Sequence, residues 1–463
     1  MKFVNRSDEM KMIRDAVSSD HCFVVVTGRR RIGKTRLIRE ALKDSSTLDL
    51  FIPRKRESLA LDQLSSLIRE QTGYSPHFRN MREMFEYILR LDDRVIFIDE
   101  ISNLHFVDSG SFSDLQDLMD RAKEERRIRM VVDGSYVGVM NRIFQDRKEP
   151  LFGRATNILE LQPLGIDPSM KMLMSKGMSF MDSLEAYSLF GGIPRYLEIL
   201  RDFDDIDSIT DSVFAPGSIF LTEGKNLLIE EFGASWDTYF SIMEVISAGK
   251  FGPTVISDRL GMEVGMLPKY LQTLKELQLV ARKQPLFGKQ KHVRYTISDP
   301  FLQFWFRLCY PRLELYKDGR AGLRKEEARS EIGRGMEKAA VDLIFSSGSL
   351  PFEPDEIGSW WDRSGNEIDI LFYSKKERKI SAGEIKWRQR PVGVDTVKRL
   401  IDNMEMIDWY NGKRIEYPFI LSKNGFTVKA RQIMDDEGIS GFDVEDCETA
   451  VLKGRKLEWA HKY

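Results

Sequence analysis

Gly28, Gly33, Lys34 and Thr35 fall in the spacing G-x-x-x-x-G-K-T, a combination suited to holding phosphate. Its glycines let backbone N–H groups converge on phosphate oxygens, Lys34 neutralises terminal phosphate charge, and Thr35 offers a hydroxyl to Mg²⁺. Further on, Asp99 and Glu100 close the apolar run RVIFIDEIS. Asp99 can hold the Mg²⁺ shell, while Glu100 can orient and deprotonate an attacking water. Alone, the first motif can arise by accident and the second can be an acidic turn after a strand. Together they make hydrolysis of a bound phosphate chemically complete. Ser135, at the end of RIRMVVDGS, is the candidate sensor of the terminal phosphate, or else part of a Gly-Ser turn. Arg154 in PLFGRAT could reach a phosphate in its own chain or a neighbour's, or be an exposed structural arginine.

A second set lies in the last third, where Asp369, Glu384 and Lys386 stand in NEIDILFYSKKERKISAGEIKW. Side chains alternate along a strand, so Glu384 and Lys386 share a face that Asp369 can meet from the preceding strand of a hairpin. Two carboxylates there can hold Mg²⁺ or Mn²⁺ on a scissile phosphate, and Lys386 can orient water or stabilise charge. Alternating charges also occur on ordinary solvated hairpins. The stretch 374–390 has seven basic residues against two acidic ones, a local polyanion-binding signal. Arg388 and Arg390 could flank a cut; Lys375, Lys376, Arg378 and Lys379 could track a backbone or form a solvated face.

The elements needed to position these groups are legible. CFVVV before the first glycine reads as a buried strand, and RLIREAL after Thr35 as a helix. From about 236 to 300, three amphipathic helical patterns precede a hairpin with FGKQK at its tip, the order of a winged helix-turn-helix. Its third helix would expose Lys269, Tyr270 and Lys275, with wing residues Lys289, Lys291 and Arg294 suited to DNA phosphates. Glu263 and Glu276 temper that charge, and packing on the first domain as a relay or partner-binding module is the competing reading. DPFLQFWFRLCYP reads as core.

A length of 463 residues implies about three domains. Seventy basic and 72 acidic residues argue against a uniformly cationic coat but permit local patches. Three scattered cysteines form no disulfide framework or zinc motif, and no apolar run approaches the roughly 18 residues of a membrane span. A soluble, cytoplasmic protein is expected.

The opening FVNRSDE, the P-loop, VIFIDE, the DGS strand end, PLFGR and GGIPRYLEIL resemble, in that order, the archaeal-type AAA+/STAND ATPases, the DEXX-box group often carrying a C-terminal DUF234 region. The resemblance covers essentially the full chain. It implies that Asn5, Arg6 and Glu9 lie near the nucleotide base. It also implies that Gly192 and Pro194 form the Gly-x-Pro turn of a helical lid touching the nucleotide, with Arg195 beside it as a sensor. From the residues alone, GGIP marks only a helix end and a helix start, and Arg195 could be a plain surface residue. The D…E-x-K set resembles the PD-(D/E)XK nuclease superfamily, with IGRGMEKAAVDLIF as its first helix. That resemblance implies a place for Glu337 near the metal and for Trp360 and Trp361 before the Asp369 strand.

The expected fold is multidomain α/β: a P-loop ATPase core with a parallel sheet (1–165), a helical lid (166–230), a winged helix-turn-helix (231–312), a linker (313–330) and a restriction-endonuclease-like, DUF234 α/β domain (331–463). ATP and Mg²⁺ are the expected cofactors, with Mn²⁺ as an alternative at the second site, and DNA is the expected partner. A homo-oligomer and a protein partner stay open; no membrane is expected. The expected output is a switch ATPase coupled to DNA cleavage, the alternative a regulatory ATPase without nuclease activity.

Overall fold

The computed structural model describes residues 5–91, 93–122, 127–263, 265–287, 293–348, 350–454 and 456–461. Lys289 and Lys291, the expected wing cations, lie outside these residues. The chain divides into two compact units, 1–163 and 164–463.

The first unit is built on β1 (His21–Thr27), β2 (Thr47–Phe51), β3 (Val95–Asp99), β4 (Ile128–Gly134) and β5 (Asn157–Glu160). Every pairing is parallel, in the order β2-β3-β4-β1-β5. Parallel strands covered on both faces read as continuous apolar runs. β1 and β3 do so, with Val24–Val26 and Ile96–Ile98 buried. Helices Glu57–Thr72, Met81–Ile88 and Ser111–Ala122 contribute Leu64, Phe85 and Leu115 to the core over this sheet. Because β4 lies between β1 and β3, the P-loop, Asp99 and the end of β4 meet at one carboxyl edge, where ligands of such sheets bind.

The second unit begins with helices, among them Phe180–Phe190 and Pro194–Leu200. Three more, Trp236–Ser247, Pro253–Leu260 and Leu267–Glu276, precede the antiparallel pair β6 (Val280–Lys283) and β7 (Arg294–Ile297). After the long helix Lys325–Ser346 comes a mixed sheet of β8 (Glu356–Trp361), β9 (Glu367–Ser374), β10 (Lys379–Lys386), β11 (Ile415–Ser422) and β12 (Ser440–Phe442), ordered β12-β11-β10-β9-β8. β8, β9 and β10 form an antiparallel meander, and β11 and β12 add parallel to it. A Cβ at Gly383 would lie 2.0 Å from the Phe419 ring, so glycine lets that ring cross β10.

Packing engages two segments outside the sheets. The 313–330 segment, read as a helical linker, carries helix Leu313–Lys317 and the start of helix Lys325–Ser346; Tyr316 is fully buried, and Arg312 grips Glu327 at 2.8 and 2.9 Å. The hairpin does not stand free either. Pro285 bridges Ser359 on β8, Leu286 N donates to the Ser359 carbonyl at 2.9 Å, and the Leu286 side chain joins the core of the five-stranded sheet. Apolar residues flanking the hairpin tip find a better partner in that sheet than in water. Phe301, Phe304, Trp305 and Phe306 are buried, as read for the aromatic run.

Candidate functional sites

In the first unit the loop after β1 turns through Gly28 (φ 145°) and Gly33 (φ 91°) into helix Lys34–Ala41. Both angles favour glycine, and a Cβ at Gly28 would also approach the Leu161 carbonyl to 2.9 Å. Lys34 is buried, its Nζ donating to the Gly28 carbonyl at 2.9 Å, the Arg29 carbonyl at 3.3 Å and Ser135 Oγ at 3.0 Å. Thr35 Oγ1 lies 3.3 Å from Asp99 Oδ1 and 3.4 Å from Asp133 Oδ2. Thus Lys34, Thr35, Asp99 and Ser135 come together.

Glu100 stands at φ 57°, a left-handed angle uncommon for a side-chain-bearing residue. That turn aims its carboxylate across the sheet edge, where Ser135 N donates at 3.0 Å, Ser135 Oγ donates to the other oxygen, and Ser102 Oγ lies 3.4 Å away. The backbone N–H of Glu100 donates to Asp133 Oδ1 at 3.0 Å. Ser135 therefore links the P-loop lysine to the Glu100 carboxylate. Thr35, Asp99 and Asp133 form an all-oxygen donor set, the chemistry Mg²⁺ prefers. Burial raises the Asp99 pKa, and burial followed by the Asp99 charge raises that of Asp133 further.

Sequence reading passed over Asp133 in favour of Ser135. The available signal was an acid inside the apolar strand IRMVVDG, since a buried carboxyl requires a reason. Arg39, 3.9 Å from Asp99 Oδ2 and 2.7 Å from Asp49, carried no such signal.

Other expected nucleotide contacts have local partners. Arg6 is buried, with NH2 donating to the Gln162 carbonyl at 2.7 Å and NH1 pairing with Glu9 at 3.0 Å. Arg154 pairs with Asp120 at 2.9 Å. Gly192, Pro194 and Arg195 belong to the second unit. A Cβ at Gly192 would overlap the Leu164 carbonyl, and Leu164 N donates to the Gly192 carbonyl at 2.8 Å. Close backbone packing thus accounts for this glycine. Pro194 opens its helix at the first turn, and exposed Arg195 faces Glu198 at 3.6 Å.

In the second unit Gly383 pairs with Ile370, so the next step of the ladder sets Glu384 across from Asp369. Lys386 Nζ reaches Asp369 Oδ2 at 3.3 Å and pairs with Glu384, while Ile385 N donates to Asp369 Oδ2 at 2.9 Å. Burial, followed by the Asp369 charge, raises the Glu384 pKa. Burial opposes the charge on Lys386, but Asp369 and Glu384 outweigh it and raise that pKa. Glu337, on helix Lys325–Ser346, lies within electrostatic range of Asp369, and burial raises its pKa as well. Among the described residues no group of three or more His, Cys, Asp or Glu forms a metal cage. The Asp369–Glu384 pair is nonetheless an oxygen donor set suited to a hard divalent ion.

The basic turn Lys375–Arg378 sits at the other end of this hairpin, about 20 Å away at 3.3 Å per residue. It does not flank the Asp369–Glu384 pair. Arg388 and Arg390, just beyond β10, are exposed near it. The expected DNA face of the Leu267–Glu276 helix is smaller than read: Lys269 and Lys275 are exposed, but Tyr270 is half-buried against Tyr239. Arg294 is not free for phosphate either, since it lies over the Trp361 ring at 4.4 Å and pairs with Glu367 at 3.5 Å.

A five-stranded parallel sheet with a lysine-bearing glycine loop and two strand-end carboxylates defines a P-loop ATPase. Residues 3–200 match the ATPase_2 family, an ATPase domain predominantly from Archaea, and residues 305–399 match DUF234, archaeal and bacterial proteins of unknown function. The chain thus joins an archaeal-type ATPase domain to a DUF234 region. It is similar to an uncharacterised protein of Methanocaldococcus jannaschii, 29% identical over 395 residues, which span 83% of this chain and 88% of that one. Among solved structures it is similar to a Walker-type ATPase of Pyrococcus abyssi, with TM-score 0.52 and 19% identity, covering 66% of this chain and 96% of that one. Among the described residues no helix is long and apolar enough to cross a membrane.

Proposed function

We propose that this chain is a switch ATPase whose nucleotide state governs metal-dependent DNA cleavage by a PD-(D/E)XK-type domain. The observation carrying the proposal is the convergence of Asp369, Glu384 and Lys386 at one end of the β9–β10 hairpin.

At the ATPase site, Lys34 binds phosphate, Thr35 and Asp99 would hold Mg²⁺, which would supply screening of the phosphate charge, Ser135 senses the terminal phosphate, and Glu100 accepts the proton of an attacking water. Arg6 lies on the base side, Arg154 serves as a finger, and Gly192, Pro194 and Arg195 belong to a nucleotide-touching lid. At the cleavage site, Asp369, Glu384 and Glu337 would hold Mg²⁺ or Mn²⁺, whose role is to polarise the phosphodiester. Lys386 orients water and stabilises charge on the phosphate.

Coupling is supported by helix Phe180–Phe190, which precedes the GGIP turn. Its Glu185 accepts from Trp387 Nε1 at 2.6 Å and pairs with Lys423, and its Tyr187 donates to Asp342 at 2.9 Å. Trp387 follows Lys386 directly, and Asp342 shares a helix with Glu337. A lid movement would therefore pull on both the strand and the helix of the cleavage site.

Three helices followed by an antiparallel pair support a winged-helix reading of 231–312. The docking of Leu286 and Arg294 on the five-stranded sheet favours a relay role for that hairpin over groove insertion. It is also the observation behind the second reading, a regulatory ATPase that binds DNA or a protein without cutting.

Supercoiled plasmid, linear and single-stranded DNA incubated with Mg²⁺ or Mn²⁺, with and without ATP, tests the proposal beside a Glu384→Ala/Lys386→Ala control. Nicking lost in the control supports the nuclease. No cleavage of any substrate while ATP is hydrolysed selects the second reading.

A further inference from the structure

The loop after helix Trp236–Ser247 and the outer end of β6 bring two lysines within electrostatic range of Glu337 and Glu367. Phe251 pairs with Tyr295 on β7, which sets Lys250 beside the hairpin, and Lys250 Nζ bonds Glu367 at 2.6 Å. Glu367 stands two residues before Asp369 on β9, hence on the same face. Lys283 pairs across the hairpin with Arg294, and that arginine rests on Trp361 and Glu367. Directly opposed residues of an antiparallel pair share a face, so Lys283 is turned the same way.

Both lysines are exposed to solvent. Burial pulls the Lys283 pKa below its ordinary value even with Glu337 and Glu367 in range, and Lys250 and Lys338 repel it. Among the described residues Lys283 has no ion-pair partner. Lys250 also lies within electrostatic range of Glu337 and Asp369. Glu367 is shared by Lys250 and Arg294, and Asp369 is engaged by Lys386. The cations are therefore only partly compensated, and they stand beside carboxylates already committed elsewhere.

Resting on the nuclease reading above, we infer that Lys250 and Lys283 form a seat for a DNA backbone phosphate next to the scissile one. Glu367 sets the aim of Lys250, and the middle helical segment thereby completes the site. This differs from recognition by the Leu267–Glu276 helix or the hairpin tip, because the contact carries no base information and lies at the carboxylates.

The test uses the full chain with Ca²⁺ and follows fluorescein-labelled duplex and single-stranded DNA by anisotropy across a salt series, with plasmid nicking in Mg²⁺ run in parallel. Lys250→Gln/Lys283→Gln should weaken binding about tenfold or more and lower the salt slope by about one to two units. Lys250→Arg/Lys283→Arg should restore most of both. Lys375→Gln/Lys376→Gln, at the far end of the hairpin, should keep the wild-type affinity for the seat's strand. An unchanged affinity and salt slope in a folded Lys250→Gln/Lys283→Gln chain overturns the seat, as does wild-type protein that binds no DNA. Faster nicking or tighter Mn²⁺ binding in that variant also overturns it, since the lysines would then be counter-ions holding the carboxylates in check. The nuclease reading fails separately: lysine-dependent binding without nicking by the wild type removes the nuclease and leaves the seat standing.

Discussion

The indole Nε1 of Trp387 donates to the carboxylate of Glu185 at 2.6 Å, across 202 positions of sequence. Lys423 closes on the same carboxylate, and its backbone N–H bonds the Lys386 carbonyl at 3.2 Å. One buried acid on a helix preceding the GGIP turn thus secures two residues at the mouth of the Asp369–Glu384–Lys386 cluster.

Removing that acid should uncouple the two activities. Glu185→Ala strands a mostly buried lysine and an indole N–H, a change that costs about 3–5 kcal/mol when a buried pair is broken. Glu185→Gln keeps an acceptor for Trp387 and should fold more readily. In Glu185→Gln, nicking should persist but lose its response to ATP. A full ATP response in this variant would refute the coupling role.

At the first site, Lys34→Ala should abolish nucleotide binding, whereas Glu100→Gln should bind ATP and turn it over at least about 10²-fold more slowly, the usual contribution of a general base. Phosphate release and fluorescent-nucleotide titration separate the two. Near-normal turnover in Glu100→Gln would move the base to another residue.

Helix contact in the second unit predicts a pH dependence. Burial raises the Asp342 pKa, with the Tyr187 hydrogen bond and Lys338 opposing it. Between the ordinary aspartate value and the raised one, the folded chain binds more protons than the unfolded chain. Its stability contribution is complete below the unfolded value and is lost as pH rises through that window. Asp342→Asn, which still accepts from Tyr187, should flatten this fall in denaturation curves recorded from acid toward neutral pH. An identical slope in wild type and variant would argue against a protonated Asp342.

A methyl group should drive the same helices apart. At Gly335, a Cβ would lie 2.3 Å from the backbone carbonyl of Ser188, an atom that cannot rotate away. Gly335→Ala should therefore cost about 1–3 kcal/mol, the range for overpacking, and should weaken ATP control of nicking along with stability. A neutral thermal scan would mean that the two helices tolerate separation.

Residues whose role depends on spacing along one strand or loop were legible from the sequence. Lys34 and Thr35 needed only the glycine loop and the helix after it; Glu384 and Lys386 needed only the alternation of a strand. Even Glu367 could have been read, because NEIDI puts it on the face of Asp369. Contacts made between distant segments left no such trace. Glu185, Lys250 and Lys283 look like ordinary surface charges until the chain folds, since nothing near them in sequence encodes their partners. Arg294 was misread for the same reason: a basic residue beside a hairpin tip resembles a phosphate ligand until Trp361 and Glu367 are beneath it.

The short pairing of Pro285 and Leu286 with Ser359 also works as a stopper. β8 ends the five-stranded sheet, and an open strand edge is a template on which another copy can stack. A fragment that begins after the hairpin would present that edge bare and should assemble into ladders at concentrations where the intact chain stays dispersed. The two segments are thus a single heritable block: recombination that separated them would produce a protein prone to precipitate rather than two reusable modules.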